Sequence, residues 1–112
     1  MGNPISQKGS SMPLFTVKKE VFSWLRDGSK TIDVRKGLPR RGGIAFFQSG
    51  KNYLRQHIVK TETGALTDVL RKDNYLQVIP AAENLGAALN YFSKLYGKSD
   101  GVFTAYYLSP LQ

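Results

Sequence analysis

The octet Gly28-Ser29-Lys30-Thr31-Ile32-Asp33-Val34-Arg35 constrains this chain more than any other stretch. Just before it, Val21, Phe22, Trp24 and Leu25 recur at helical spacing, and Gly28 is placed to end that helix. The run after the glycine reads as a strand, where successive side chains point to opposite faces. Strict alternation puts Lys30, Ile32 and Val34 on one face and Thr31, Asp33 and Arg35 on the other. Lys30, Asp33 and Arg35 line one site only if Lys30 sits at the turn, before the strand is regular. A glycine corner, an ammonium, a carboxylate and a guanidinium then converge within one short segment. A strand opening with solvated charges is the plainer reading of such an octet in isolation.

The flanking segments extend the pattern. Residues 14–17 are apolar and suit a short edge strand. Residues 37–43 hold three glycines and a proline, which break regular structure and predict a loop carrying Arg40 and Arg41. Residues 44–48 form a continuous apolar run, as expected of a strand buried on both sides. Residues 49–52 are turn-like in composition, and residues 53–61 alternate, with Tyr53, Arg55, His57 and Val59 on one face. A short helix is predicted over 65–72. A second follows Asn84, a good N-cap, with Leu85, Ala88, Leu89 and Phe92 as its stripe and Gly97 as its stop. Residues 102–108 read as a central or barrel-closing strand on which Tyr106 and Tyr107 face opposite ways.

The octet matches the G-x-K-x-x-[ED]-x-R pattern of the ASCH domain (activating-signal-cointegrator homology), and the order of segments over roughly residues 14–110 resembles that family too. The resemblance implies an α+β fold, a small PUA-like mixed β-barrel with peripheral helices, and a cleft beside the motif whose ligands are RNA or nucleobase-like. Some ASCH proteins are ribonucleases. Others hydrolyse an amide on an acetylated cytidine nucleoside, using the motif lysine, a hydroxyl residue three positions on and a later glutamate. Here Lys30 matches, but Asp33 stands three positions on. Alignment by eye puts Ala81 at the glutamate, with Glu83 two residues away, where it also suits a helix N-terminus.

Composition narrows the function classes. The chain has 112 residues, enough for one domain with one modest core, which we divide into a disordered tail (1–13) and a folded unit (14–112). It contains no cysteine, which removes disulfides and thiolate chemistry, and its single histidine, His57, cannot build a histidine-rich metal site. No metal or cofactor is expected. No stretch is long and apolar enough to span a membrane, and no apolar signal core opens the chain, so the default location is cytoplasmic. The net charge is +8, and its distribution is uneven. Lys30, Arg35, Lys36, Arg40, Arg41, Lys51, Arg55 and Lys60 fall between residues 28 and 60, against one acid, Asp33.

A basic surface of this kind suits a polyanion. We therefore expect an RNA-binding cleft formed by Gly28, Lys30, Asp33, Arg35, Arg40, Arg41, Lys51 and Arg55. The alternative is a small hydrolase acting on RNA or a nucleoside, with Lys30 and Asp33 as catalytic groups. A lysine serves as a base only if burial or neighbouring cations lower its pKa. Trp24 is either a stacking platform or, as is commoner on an apolar helical face, core.

Overall fold

The computed structural model describes residues 12–111. The expected tail lies, up to residue 11, outside the described residues. Pro13 already belongs to the fold: it is buried, and its carbonyl accepts the Phe46 N–H at 2.9 Å.

The described elements run β1 (Leu14–Thr16), α1 (Lys19–Asp27), β2 (Ile32–Lys36), β3 (Ile44–Ser49), β4 (Asn52–Gly64), α2 (Leu66–Val69), α3 (Tyr75–Val78), α4 (Leu85–Tyr96) and β5 (Phe103–Pro110). The strands form one sheet in the order β1-β3-β4-β5-β2. Only β1 and β3 are parallel. The sheet curls into an open half-barrel, the α+β architecture anticipated above.

Alternation along the strands sorts side chains into two cores. The inner face gathers Phe15, Leu25, Ala45, Phe47, Tyr106 and Leu108, with α1 lying across it. The outer face carries Ile32, Val34, Phe103 and Ala105, covered by Leu66, Val69, Leu70, Val78, Ala88 and Phe92 of the helical segments and their flanks. Tyr106 and Tyr107 face opposite ways, as expected: Tyr106 is in the inner core and Tyr107 packs against the outer one. β5 is an internal strand, paired with β4 on one side and the edge strand β2 on the other, while β4 holds the centre of the sheet.

Three local expectations need correction. β3 is not buried on both sides: Ala45 and Phe47 are buried, but Ile44, Phe46 and Gln48 are only half-buried because no helix covers that part of the outer face. β4 has a register shift between Ile58 and Lys60. The extra residue, Val59, puts Lys60 opposite Tyr107 on the outer face rather than with Leu54 and Gln56. The helix predicted over 65–72 stops at Val69, where Leu70 turns extended and the Arg71 N–H is taken by the Asn74 side chain at 2.8 Å. The apolar run that follows is the short helix α3.

Candidate functional site

The motif corner is built by the end of α1. Gly28 ends the helix at φ +87°, a conformation that disfavours any residue with a Cβ. The Asp27 carboxylate accepts the Ser29 N–H at 2.8 Å, and the Lys30 N–H returns to the Trp24 carbonyl at 3.0 Å. The Thr31 N–H is held by the Gln77 carbonyl at 3.0 Å, which anchors the corner against α3. Lys30 thus lies at the turn, ahead of regular β2, and its side chain folds inward.

Lys30 is only 5% exposed. Its Nζ donates to the Val78 carbonyl at 2.6 Å and the Ile32 carbonyl at 2.9 Å, and lies 3.7 Å from Asp33 Oδ1. Burial pushes the Lys30 pKa below its ordinary value; the Asp33 carboxylate opposes that shift, and Arg35 adds to it. Asp33 is buried in turn, with its Oδ2 accepting from Arg35 Nε at 2.6 Å. One carboxylate therefore joins both motif cations.

Beyond that bond, the Arg35 guanidinium lies over the Phe15 ring, 4.4 Å from its centre, and Arg40 lies over the same ring at 5.0 Å. The Arg40 backbone N–H donates to the Tyr106 hydroxyl at 2.9 Å, while its Nη1 reaches the Leu14 carbonyl at 3.2 Å. Two arginines thereby contact one aromatic ring. The terminal nitrogens of Arg35 carry no other hydrogen bond among the described residues.

The half-barrel does not close, and the candidate site is its seam. A cleft of about 260 Å³ lies between the edge strands, lined by Thr16, Val17 and Lys18 on one side and Asp33, Val34 and Arg35 on the other. Trp24 from α1 and Tyr91, Leu95 and Tyr96 from α4 complete its walls, and Lys30 lies at its base. Burial, and secondarily the Asp33 carboxylate, raise the Tyr91 pKa, which keeps its hydroxyl protonated.

The backbone along the seam is also available. Leu108 donates to the Thr31 carbonyl and Gly37 to the Val102 carbonyl, so Thr31, Asp33, Arg35 and Gly37 use their backbone on β5. Ile32, Val34 and Lys36 then turn theirs to the free edge. Lys30 takes the Ile32 carbonyl, and the Tyr96 hydroxyl accepts the Lys36 N–H at 3.4 Å. The Val34 N–H and C=O face the cleft unpaired among the described residues. The cleft therefore offers aromatic side chains, a hydrogen-bonding strand edge and a guanidinium.

Several residues expected at the site lie elsewhere. Gly28 shapes the corner but does not line the cleft. Arg40 anchors one end of the seam through Phe15, and Arg41 is exposed on the loop beside it. Lys51 lies in the β3–β4 turn and Arg55 on β4, both away from the cleft. Lys36 and Lys60 approach Asp100 and Glu62, at 4.0 and 3.7 Å. His57 is exposed on β4, and Glu83 is exposed ahead of α4. Trp24, half-buried, packs against the outer core, as the commoner of its two sequence readings expects, and also lines the cleft.

A polar cluster that sequence reasoning missed centres on Arg71, which contacts Glu62 (3.2 Å), Asp73 (3.1 Å) and the Asp68 carbonyl (2.7 Å). The Tyr107 hydroxyl donates to the same Glu62 oxygen at 2.9 Å. Its partners are up to 45 residues apart and share no local pattern. The cluster ties the α2–α3 connection to β4 and β5. No grouping of three or more His, Asp or Glu suited to a metal ion occurs among the described residues. No described helix is long and apolar enough to cross a membrane.

Neither protein-family models nor curated proteins give a match to this chain. Solved structures do. The crystal structure of the hypothetical protein PH0355 superposes with a TM-score of 0.71 at 18% identity, covering 90% of this chain and all of that one. The solution structure of protein PF0455 from Pyrococcus furiosus superposes with a TM-score of 0.65 at 18% identity, covering 91% and 99%. The chain shares their fold across nearly its whole length.

Proposed function

We propose that this protein is an RNA-binding domain of the ASCH type, and that its seam cleft takes an unstacked base while Arg35 contacts the phosphate or base edge beside it. The observation that carries this reading is the cleft itself. Aromatic side chains (Trp24, Tyr91), a strand edge (Val34) and a guanidinium (Arg35) whose terminal nitrogens are both unpaired among the described residues surround one space of about 260 Å³. Single-stranded RNA presents bases that stack on aromatic rings and hydrogen-bond through their edges, which is what such walls complement. Asp33 holds Arg35 at a fixed angle, and Lys30 holds Asp33. In this reading Lys30 positions the site, and Arg35 and the strand edge contact the ligand.

Salt and charge test it. With two to four phosphate contacts, affinity for a single-stranded RNA should fall with salt at a log–log slope of about −1.5 to −3. Arg35→Glu should weaken binding by tenfold or more. Affinity indifferent to both salt and that charge reversal would reject the reading.

One observation favours a second reading, a hydrolase. Burial lowers the Lys30 pKa, as a general base requires. Against it, Nζ is engaged by two carbonyls and sits beside a carboxylate. Incubation with RNA or acetylated cytidine decides. Product formation that Lys30→Ala abolishes would favour the enzyme, and an absence of turnover would leave the binding module.

A further inference from the structure

The outer face of the sheet is only half covered. Among the described residues, helical segments pack over β2, β5 and the later part of β4, while β1, β3 and the first half of β4 carry no covering element. Strand register sets what that surface displays. Phe46 lies opposite Arg55, Ile44 opposite His57 and Gln48 opposite Tyr53, with Leu14 beside Phe46. Cross-strand partners share a face, so these side chains emerge together.

The Phe46 and Tyr53 rings form a tilted pair, 5.2 Å between centres with their planes at 37°, and Tyr53 is 58% exposed. Leu14 is 46% exposed. Arg55 and His57 are exposed beside the rings, and Lys51 lies in the turn at the end of the strand pair. The sequence contains no Asp or Glu between residues 34 and 61. Aromatic and cationic groups thus share this half-face, and the strand segments that form it contribute no acid.

We propose that this uncovered half-face is a second nucleic-acid contact, a stacking platform for single-stranded RNA that is separate from the seam cleft. A base would stack on the outward face of Tyr53, with Phe46 backing that ring, while Arg55 and Lys51 neutralise the adjoining phosphates. Charge decides the occupant. A protein partner burying this face would strand Arg55 and Lys51 unless it brought acids to meet them, whereas an RNA strand supplies an anion at every nucleotide and a π-face at every base. The platform gives Lys51 and Arg55, which lie away from the cleft, a common role. β1 stands between platform and cleft, and the β1–β3–β4 span is only ~10 Å wide at ordinary strand spacing. One short RNA can therefore engage both.

The platform rests on the RNA reading of the chain but is tested at its own residues. The probe is a labelled single-stranded RNA dodecamer of mixed sequence, added to the full chain, with aromatic-ring NMR signals followed during the titration. The Tyr53 and Phe46 ring signals should shift saturably. Tyr53→Ala should weaken binding roughly tenfold, toward the lower end of what one stacked base supplies. Tyr53→Ala/Arg55→Ala should weaken it further, with thermal stability close to that of the parent because both side chains are exposed. Fluorescence of Trp24 reports the cleft separately. Ring signals that stay fixed while Trp24 responds, or a double variant within twofold of the parent, would overturn the platform and leave the cleft reading intact. Failure of the dodecamer to move either reporter would overturn both. Self-association of the free protein that Tyr53→Ala abolishes would assign the face to a second copy of this chain and overturn the proposal.

Discussion

Replacing Lys30 by Met tests whether the motif lysine holds the site together. Met keeps most of the apolar stem and removes the ammonium. Two carbonyls, of Ile32 and Val78, then lose their Lys30 donor, and among the described residues Asp33 keeps only Arg35 as a side-chain partner. A buried carbonyl left without a donor costs about 1–3 kcal/mol, and breaking one side of a buried ion pair costs about 3–5 kcal/mol. These terms overlap, because one ammonium serves all three acceptors, so the expected loss is about 3–5 kcal/mol. Urea denaturation measures it. With a slope of about 1–3 kcal/mol/M, the midpoint should drop by at least about 1 M with an unchanged slope.

The same comparison has a pH signature. Burial lowers the Lys30 pKa in the folded state, while the unfolded value stays near the ordinary ~10.4. Between those values the unfolded chain binds more protons than the folded one, so this group makes stability rise with pH. The gap between parent and Lys30→Met should therefore widen as pH climbs toward the ordinary lysine value. Tyr91, whose pKa is raised, acts with the opposite sign, but it is present in both proteins and largely cancels in the difference. A midpoint within about 0.2 M of the parent, with a gap flat across alkaline pH, would refute Lys30 as the internal brace.

Two other perturbations probe the scaffold. Gly28→Ala places a Cβ at φ +87° in open space, so strain alone should cost about 1–2 kcal/mol, read as a lower urea midpoint; no loss would mean the corner relaxes. The Tyr107 hydroxyl bond is the leading cause holding the Glu62 carboxyl below its ordinary range, followed by the Arg71 bond as the next stabilising contact. Its stabilisation is present above the unfolded value of ~4.3 and fades as pH falls through the folded one. Tyr107→Phe should therefore destabilise at pH 7 and converge with the parent in acid, and a pH-independent difference would count against that assignment.

The parts of the fold legible in sequence are those fixed by local pattern. α1 was marked by Val21, Phe22, Trp24 and Leu25 with Gly28 as its stop, and α4 by Asn84, whose side chain does accept the Ala87 N–H at 2.8 Å. The condition placed on Lys30, that it lie at the turn, is met. Its partner at Val78 was not legible, because a contact 48 residues away leaves no trace in spacing. The basic third of the chain looked continuous in sequence, yet strand geometry divides it. Arg35 and Arg40 meet on Phe15, whereas Arg55 points out from β4 opposite Phe46. The bulge at Val59, which redirects Lys60, had no glycine or proline to announce it. The free edge of Val34 follows only once β2 is known to end the sheet.

Trp24 is the sole tryptophan of the chain and forms part of the cleft wall, so its fluorescence reports directly on occupancy of the seam. Titration with single-stranded RNA should change that emission saturably, with an affinity that falls as salt rises and drops tenfold or more in Arg35→Glu. Emission that stays constant while the RNA is demonstrably bound would place the ligand elsewhere and contradict the account.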